Sequence, residues 1–331
     1  MITIVSEESD HVVKSGEVQA ALDAMKDKGT TLWIDMETPT PDEFKILQDV
    51  FHFHPLAIED ACQPHQRPKL DEYDGYFFVT ANEVLWDETS KEKQATSSEF
   101  EGKDYRVRQV SMFLSANYFI TIHVEPVETV QKLRKRCDVN SAPLHRGPDY
   151  LLYTLLDALV DGYFTIVDNL DIRMDMLEDM IVAESNQNVP EKIFSIRRDL
   201  MGLRRHVGPM RQVVQTLTTR DMPHVQERTL PYLRDVADHL FRIYEMIDNN
   251  RDLLSNMLEA YLAEVSNNMN RVMQRLAAVG TVFLPITFVT GVFGMNFADQ
   301  PWLKTNVWLW MGGMAVLAGF TFWWFHRRRW V

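Results

Sequence analysis

The sequence predicts an α/β domain followed by a long helical stalk and two C-terminal transmembrane helices. Three observations support this fold class: short β-rich runs mix with helical stretches over residues 1–148, helical periodicity dominates residues 149–275, and two uncharged stretches follow. These stretches cover residues 276–298 and 305–325. Because about 20 apolar residues suffice to cross the hydrocarbon core of a bilayer, we expect each stretch to span a membrane.

The N-terminal domain contains several segments that are typical of strands. We predict strands in TTLWIDME (30–37) and GYFFVTANEVLW (75–86), and a hairpin in RVRQVSMFLSANYFITIHVE (106–125) that turns near Ser115–Asn117. The polar run DETSKEKQATSSEFEGKD (87–104) predicts a mobile loop. The chain has no glycine-rich phosphate loop, Walker-type lysine or nucleophile–base pair, so we expect neither an enzyme nor an organic cofactor.

Two helical segments follow the domain, over residues 150–185 and 190–217. The first carries its acids largely on one side, and the second is rich in arginine. We therefore predict that the two helices pair an acidic face with a basic face. The acids are Asp157, Asp161, Asp168, Asp171, Asp175 and Glu178, and the arginines are Arg197, Arg198, Arg204, Arg205 and Arg211.

The next helix is predicted to be very long. Pro231 suits the first position of a helix, with Thr229 nearby as a cap, and no helix breaker follows until Gly280 and Pro285. A helix from Pro231 to about Phe293 would span about 95 Å at ~1.5 Å per residue. Such a helix cannot stand alone, so we expect it to belong to a bundle.

Charge and topology signals describe the surroundings of the chain. The whole sequence has a net charge of −13, and the part before the spans holds 46 acids against 30 bases, which is about 16 excess negative charges. This surface disfavours nucleic acid and favours cations. MITIVSEESD does not resemble a signal peptide, and two cysteines, Cys62 and Cys137, are too few for a disulfide framework.

Flanking bases predict the orientation in the cytoplasmic (inner) membrane. Arg271 and Arg275 precede the first span, and Arg327–Arg329 follow the second. The positive-inside rule then places both termini, including the basic tail 326–331, in the cytoplasm, with only the short loop 299–304 outside.

One face of the first span carries small, polar or flexible residues at a period of 3.5, which is typical of a helix packed against parallel copies of itself. We call this face the seam. It comprises Asn270, Met273, Ala277, Gly280, Leu284, Thr287, Gly291 and Gly294. Residues such as Val282, Phe283, Ile286, Phe288 and Val289 lie between its positions, as expected for a surface that contacts lipid.

Close helix packing and pore lining both explain this face, and spacing alone favours packing. The amides Asn270 and Asn296 bracket the span, and polar side chains at membrane depth normally face protein or water. Pro285 frees a backbone carbonyl, which a water-filled cavity can satisfy. The span contains no carboxylate, histidine or cysteine, so a pore of amides, hydroxyls and carbonyls suits a hard, hydrated cation such as Mg²⁺.

These residues resemble the CorA family of magnesium channels. Gly294-Met295-Asn296 matches the Gly-Met-Asn motif that follows the first of two C-terminal spans in that family. The likeness extends through TVFLPITFVTGVFGMNF (281–297), HRRRW (326–330), YLRDVADH (232–239), YLLYTLLDALVDGYF (150–164) and HPLAIEDACQPHQRPK (54–69), which covers nearly the whole chain.

The resemblance implies a funnel-shaped homopentamer that conducts Mg²⁺, with Co²⁺ and Ni²⁺ as further candidates. It places a selectivity ring at Asn296, apolar rings at Met273, Leu276 and Leu284, and polar rings at Asn270 and Thr287. It also implies that intracellular Mg²⁺ regulates the pore between subunits, at carboxylates that align with Asp235 and Asp87. Bound Mg²⁺ would bridge these acids, and its loss would loosen the ring and open the pore.

The sequence departs from the family pattern at two places. Phe293 stands where the family often has Tyr, and Trp302 follows Pro301 where an acid is common. Only Asp299 remains to concentrate cations at the outer mouth.

Three alternatives remain open at this point. The first is a zinc transporter of the related ZntB type, although the intact Met295 disfavours it. The second is a membrane-tethered sensor or scaffold that conducts nothing. The third concerns a zinc site of His52, His54, Cys62 and His65, which lacks the usual ligand spacing.

Overall fold

A computed structural model describes residues 2–5, 10–13, 31–63, 66–86, 105–139, 142–183, 188–219, 222–294 and 307–327. The chain divides into an N-terminal unit, Met1–Ser255, and a C-terminal unit, Asn256–Val331.

A seven-stranded mixed sheet forms the centre of the N-terminal unit. Its strands are β1 (Ile2–Val5), β2 (Asp10–Val13), β3 (Leu32–Glu37), β4 (Lys69–Tyr73), β5 (Tyr76–Trp86), β6 (Tyr105–Leu114) and β7 (Tyr118–His123). They lie in the order β2-β1-β3-β7-β6-β5-β4. Only β3 and β7 pair in parallel, and every other neighbouring pair is antiparallel. The predicted strands are confirmed.

The predicted hairpin is confirmed as well. The strands β6 and β7 pair from Ser111 to Leu114 on one side and Phe119 to Ile122 on the other. The Ser115 amide donates to the Tyr118 carbonyl at 3.0 Å, which closes the turn. The predicted loop at residues 87–104 lies outside the described residues.

Eight helices are described. They are α1 (Pro41–Asp49), α2 (Pro55–Cys62), α3 (Glu128–Val139), α4 (Ala142–His145), α5 (Pro148–Val182), α6 (Val189–Thr219), α7 (Leu230–Gly294) and α8 (Val307–Arg327). Local sequence explains their beginnings: Thr40 and Glu43 form a capping box at α1, and Pro148 opens α5 just after Gly147.

Helix α5 covers the sheet. Apolar residues at helical spacing, such as Leu152, Leu155, Leu159 and Ile166, are fully buried, and the Tyr163 hydroxyl donates to the Asn82 carbonyl of β5 at 2.7 Å. Helix α5 is long and apolar enough to cross a membrane, but more than half of its apolar window is buried inside the chain. It is therefore a core helix of the α/β domain.

The predicted pairing of acids on α5 with arginines on α6 is wrong. The ion pair between these helices has the opposite polarity, because Arg173 of α5 contacts Asp199 of α6 at 3.2 Å. Acids of α5 instead face α7, where Asp171 accepts a hydrogen bond from Asn250. Helix α7 carries polar partners for both α5 and α6, and polar side chains of these two helices contact it.

Two arginines of α6 also contact α7 rather than α5. Arg204 donates to the Tyr244 hydroxyl at 2.7 Å and lies 3.3 Å from Asp248. Arg211 stacks over the Tyr244 ring at 4.9 Å from its centroid. Helix α7 therefore makes polar contacts with both neighbouring helices, beside a buried apolar stripe that includes Leu233 and Leu240.

The long helix is confirmed, with 65 residues from Leu230 to Gly294. Pro231 is its second residue rather than its first. The Thr229 carbonyl accepts from the Leu233 amide, but the Thr229 hydroxyl is buried without a hydrogen-bond partner among the described residues, so this side chain does not cap the helix. The terminal part of α7 and the whole of α8 are each apolar and long enough to span a membrane.

A buried polar network joins β3 to β7. The His123 imidazole contacts the Asp35 carboxylate through Nε2 at 3.2 Å and the Glu125 carbonyl through Nδ1 at 2.7 Å. Both neighbours are acceptors, and Arg134 lies 3.5 Å from the same carboxylate. Burial alone would lower the pKa of His123, but the hydrogen bond and charge of Asp35 raise it above its ordinary value.

We predict that replacing His123 with Gln lowers stability more at pH 6 than at pH 9. A raised pKa means that the folded state favours the imidazolium. Its contribution is complete below the unfolded-state pKa of about 6.5 and is lost as the pH rises through the folded-state value. Thermal unfolding of the full chain in detergent, followed by circular dichroism, measures the loss. An exposed control, His52→Asn, should show no such difference, and an equal loss at both pH values for His123→Gln would contradict this account.

Candidate functional site

Two acids and a histidine come together between α5 and α7. Asp157 lies on α5, while Asp235 and His239 are one turn apart on α7. Their ligand atoms all lie within 4.8 Å of one another, and His239 Nε2 is 3.9 Å from Asp235 Oδ2. Within the described ranges this is the one group of three His, Cys, Asp or Glu side chains placed to share a metal ion. We call it the stalk cluster.

The stalk cluster holds more negative than positive charge. Burial raises the pKa of Asp157, and the neighbouring Asp161 and Asp235 raise it further. Burial, together with the nearby carboxylates of Asp157 and Asp235, raises the pKa of Tyr153 to about 12. Among the described residues no Lys or Arg pairs with Asp157, Asp161 or Asp235. A divalent cation would relieve this repulsion.

One ring nitrogen of His239 has no hydrogen-bond partner among the described residues. Its ring packs edge-on against Phe164 with centroids 5.7 Å apart, and its Nδ1 is buried without a hydrogen-bond partner in the described part of the chain. A buried unpaired nitrogen costs free energy, which a ligand or a bridging water would recover.

The spacing of the cluster allows its side chains to share one ion. Two ligands on opposite sides of Mg²⁺, each at about 2.1 Å, would lie about 4.2 Å apart. The ligand atoms of the cluster lie within 4.8 Å of one another, and the His239 Nε2 and Asp235 Oδ2 atoms are 3.9 Å apart. Mg²⁺ prefers oxygen ligands and keeps several waters, so the two carboxylates together with bound water would suit this ion.

The predicted regulatory pair, Asp235 and Asp87, stays a prediction. Asp235 lies in the stalk cluster, whereas Asp87 lies outside the described residues. Sequence reasoning missed Asp157 and His239 as ligands. The spacing of Asp235 and His239, four apart on one helix face, was the available signal for the histidine.

Among the described residues, His52, His54 and Cys62 do not form a group placed to share a metal ion. His54 Nδ1 accepts from the Leu56 amide at 3.2 Å and so caps α2, and its ring stacks on Tyr73. His52 Nδ1 lies 3.2 Å from the Gln48 carbonyl. Cys62 is exposed, and His65 lies outside the described residues. His54 therefore serves the fold rather than a zinc ion.

All eight seam positions are exposed on α7 in the single chain. At Gly280, Gly291 and Gly294 an added Cβ would meet nothing within 4 Å. The apolar positions predicted to narrow a pore are also uncovered: the exposed fractions are 58% for Met273, 64% for Leu276 and 72% for Leu284. No part of the chain itself packs on the seam within the described residues.

The opposite face of α7 is the covered one. Ala278 is buried, and half-buried residues continue its stripe at Val282, Pro285, Ile286, Val289 and Val292. At 100° per residue this stripe lies roughly opposite the seam. The placement of Val282, Ile286 and Val289 towards lipid is therefore wrong, since the chain partly covers them, whereas Phe283 and Phe288 are exposed as expected.

Polar backbone and hydroxyl groups are available along this helix. The Thr287 hydroxyl donates to the Phe283 carbonyl at 2.9 Å, which leaves its lone pairs free to accept. Pro285 has no N–H, so the Thr281 carbonyl four residues earlier lacks its helical partner. Both features put oxygen acceptors at the depth of the span.

Several predicted site residues lie outside the described residues. Gly294 is the last residue of α7. Met295, Asn296 and Asp299 lie outside the described residues, as does Trp302. Their roles stay predictions.

Comparison with known proteins places this geometry in a family. A family model described as "CorA-like Mg2+ transporter protein" matches residues 28–327. The chain belongs to the CorA-like Mg²⁺ transporter family. The cobalt/magnesium transport protein CorA of Thermotoga maritima is 30% identical over 325 residues, which cover 96% of this chain and 88% of that protein.

Solved structures of CorA-like proteins share the fold. The complete CorA magnesium transporter of Methanocaldococcus jannaschii matches with a TM-score of 0.76 at 23% identity, covering 91% of this chain and 92% of that one. The ZntB cytoplasmic domain of Vibrio parahaemolyticus matches with a TM-score of 0.59 at 15% identity, covering 72% of this chain and 88% of that one. The shared fold therefore does not by itself distinguish Mg²⁺ from Zn²⁺.

We predict that Asp157→Asn weakens Mg²⁺ binding at the stalk cluster. A ligand at 100 times its dissociation constant stabilises a protein by about 2.7 kcal/mol, and a tenfold weaker site gives about 1.4 kcal/mol less. The rise in melting temperature that Mg²⁺ causes should therefore shrink by about half. Glu178→Gln, which neutralises an exposed acid of the same helix, is the matched control. An unchanged Mg²⁺ shift in Asp157→Asn would show that the ion binds elsewhere.

Proposed function

We propose that this protein is a channel for hydrated divalent cations, chiefly Mg²⁺, whose pore is lined by the seams of several parallel copies of α7. The observation that carries the proposal is that the seam is uncovered, while the opposite face of α7 is covered by the chain. Contact with lipid alone would stabilise a face of glycines, threonine and amide very little, because small and polar residues in a membrane favour protein or water as neighbours.

Two properties favour a pore over simple packing of the copies. Leu284 on the seam and Leu276, one residue before the seam position Ala277, are large and exposed, so seams in close contact would have to accommodate bulky side chains beside glycines. Around an open axis the same leucines, with Met273, form apolar rings that close a pore by dewetting. The acceptors of Asn270 and Thr287 lie on either side of these apolar rings along the helix and contact the hydration shell of a passing ion.

The selectivity ring in this proposal is Asn296. Its amide oxygen suits a hard cation that retains water, and Gly294 allows the chain to leave the helix there. Five copies, as the CorA resemblance implies, give a ring of five amides. Asp299 is the acid nearest to this outer mouth in the sequence.

The stalk cluster provides the regulatory site. Mg²⁺ bound by Asp157, Asp235 and His239 holds α5 against α7 at the N-terminal part of the long helix. Asp87 of a neighbouring copy completes the site across the subunit interface. When intracellular Mg²⁺ falls, the carboxylates repel, the interface loosens and the pore opens.

Magnesium is favoured over zinc on two grounds. The Thermotoga maritima relative is named a cobalt/magnesium transport protein, which supports Mg²⁺ and adds Co²⁺ as cargo, and Ni²⁺ is a chemically similar candidate. The span offers no His or Cys, the ligands that zinc and other transition metals prefer. The protein lies in the cytoplasmic membrane with both termini in the cytoplasm, acts as no enzyme and needs no organic cofactor.

We predict that Asn296→Ala abolishes Mg²⁺ influx. The purified protein is reconstituted into liposomes that contain a Mg²⁺-sensitive dye. A membrane potential drives the influx. Losing the amide ring removes the oxygens that hold the hydrated ion, so influx should fall at least tenfold in a variant that still assembles.

The matched control is Asn306→Ala, which removes an amide beyond the outer loop and should leave influx unchanged. Equal Mg²⁺ flux in the parent and in Asn296→Ala would show that the selectivity filter is not formed by Asn296. Zn²⁺ flux without Mg²⁺ flux in both would favour the zinc transporter, and no flux of either metal would favour a scaffold.

A further inference from the structure

The end of α8 combines aromatic and cationic side chains. The Arg327 guanidinium lies over the Trp323 ring at 5.4 Å from its centroid, and His326 stacks on Phe322 at 6.4 Å. Arg328 and Arg329 continue the run in the sequence. We call Trp323, His326 and Arg327 the α8 terminal cluster.

No acid neutralises this cluster from its own segment. After Asp299 the sequence contains no Asp or Glu. Arg327 is exposed and forms no ion pair among the described residues. Within the described part of the chain, the Arg327 charge at the end of this apolar helix therefore has no acidic partner, although the chain as a whole has a net charge of −13.

The contact between Arg327 and Trp323 prepares the guanidinium to bind a phosphate. An arginine stacked on a ring keeps the N–H groups of its planar fork free at the edge, and that fork matches two phosphate oxygens. Trp323 is 51% exposed. Exposed tryptophan at the end of a membrane helix sits at headgroup depth, so the free N–H groups of Arg327 lie at the level of lipid phosphates.

We propose that the α8 terminal cluster binds the phosphate of anionic phospholipids and prefers them to zwitterionic ones. A zwitterionic headgroup carries its own ammonium group, which competes with the arginines for the phosphate. Each arginine near an anionic surface strengthens association about fivefold. The inference requires only that α8 ends at a membrane surface, so it stands whether or not the chain conducts ions.

The test is native mass spectrometry of the purified full chain in detergent with equal amounts of phosphatidylglycerol and phosphatidylcholine. The parent should retain phosphatidylglycerol at least tenfold more often. Arg327→Gln should lower this preference about fivefold. Lys304→Gln, which removes one positive charge at the other end of the second span, should leave it unchanged. Binding is read by mass, so failure of the channel proposal would not affect the result.

Two further variants separate charge from geometry. Arg327→Lys keeps the charge but loses the fork, and Trp323→Leu loses the stacking platform; each should lower the preference by an intermediate factor while Arg328 and Arg329 remain. Equal retention of the two lipids by the parent would overturn the proposal. So would an unchanged preference in Arg327→Gln, or loss of the preference when millimolar inorganic phosphate is added, which would indicate a site for free anions.

Discussion

The structure depends on a helix whose two faces need different partners. One face of α7 is covered by its own chain within the span, from Ala278 to Val292. The other face, the seam, has no cover in the described residues of a single chain. In hydrocarbon, apolar contact with lipid stabilises neither glycine nor amide, so in the proposed function other copies of α7, with water held between them, cover this face. Assembly and conduction would then have the same physical origin.

In the proposed function the same helix connects regulation to conduction. Asp235 and His239 lie near its beginning, and the seam runs to its last residue, Gly294. In the N-terminal unit the helix packs through a fully buried apolar stripe that includes Leu233 and Leu240, and its polar contacts lie beside that stripe. An ion bound at the stalk cluster would therefore act on one end of a helix that apolar packing holds against the domain.

Much of the fold could be predicted because its signals are local. The strand in GYFFVTANEVLW, the turn at Ser115–Asn117 and the uninterrupted run after Pro231 each depend on neighbouring residues, and all three are confirmed. Charge pairing between helices was predicted wrongly because it depends on which element packs on which. The acids of α5 face α7, and nothing in the spacing along α5 reveals this.

The candidate site likewise contains a part with a local signal in the sequence and a part that depends on packing between helices. The seam has a period that can be counted in the sequence, and the structure shows it uncovered. Asp157 was missed as a ligand because its partners are on another helix, about 80 residues away in the chain. Its acidic neighbours looked like an ordinary solvated face. Only the three-dimensional arrangement shows that Asp157 meets Asp235 and His239 without a neutralising base.

The central claim is that the seam, and not the opposite face, lines a water-filled path. The most direct measurement compares Thr287→Cys on the seam with Val289→Cys on the covered stripe, before and after treatment with a charged, membrane-impermeant thiosulfonate. The account predicts that the reagent reduces Mg²⁺ influx at least tenfold in Thr287→Cys and leaves Val289→Cys and the parent, with Cys62 and Cys137, unaffected. Stronger inhibition of Val289→Cys, or no effect on Thr287→Cys, would contradict it.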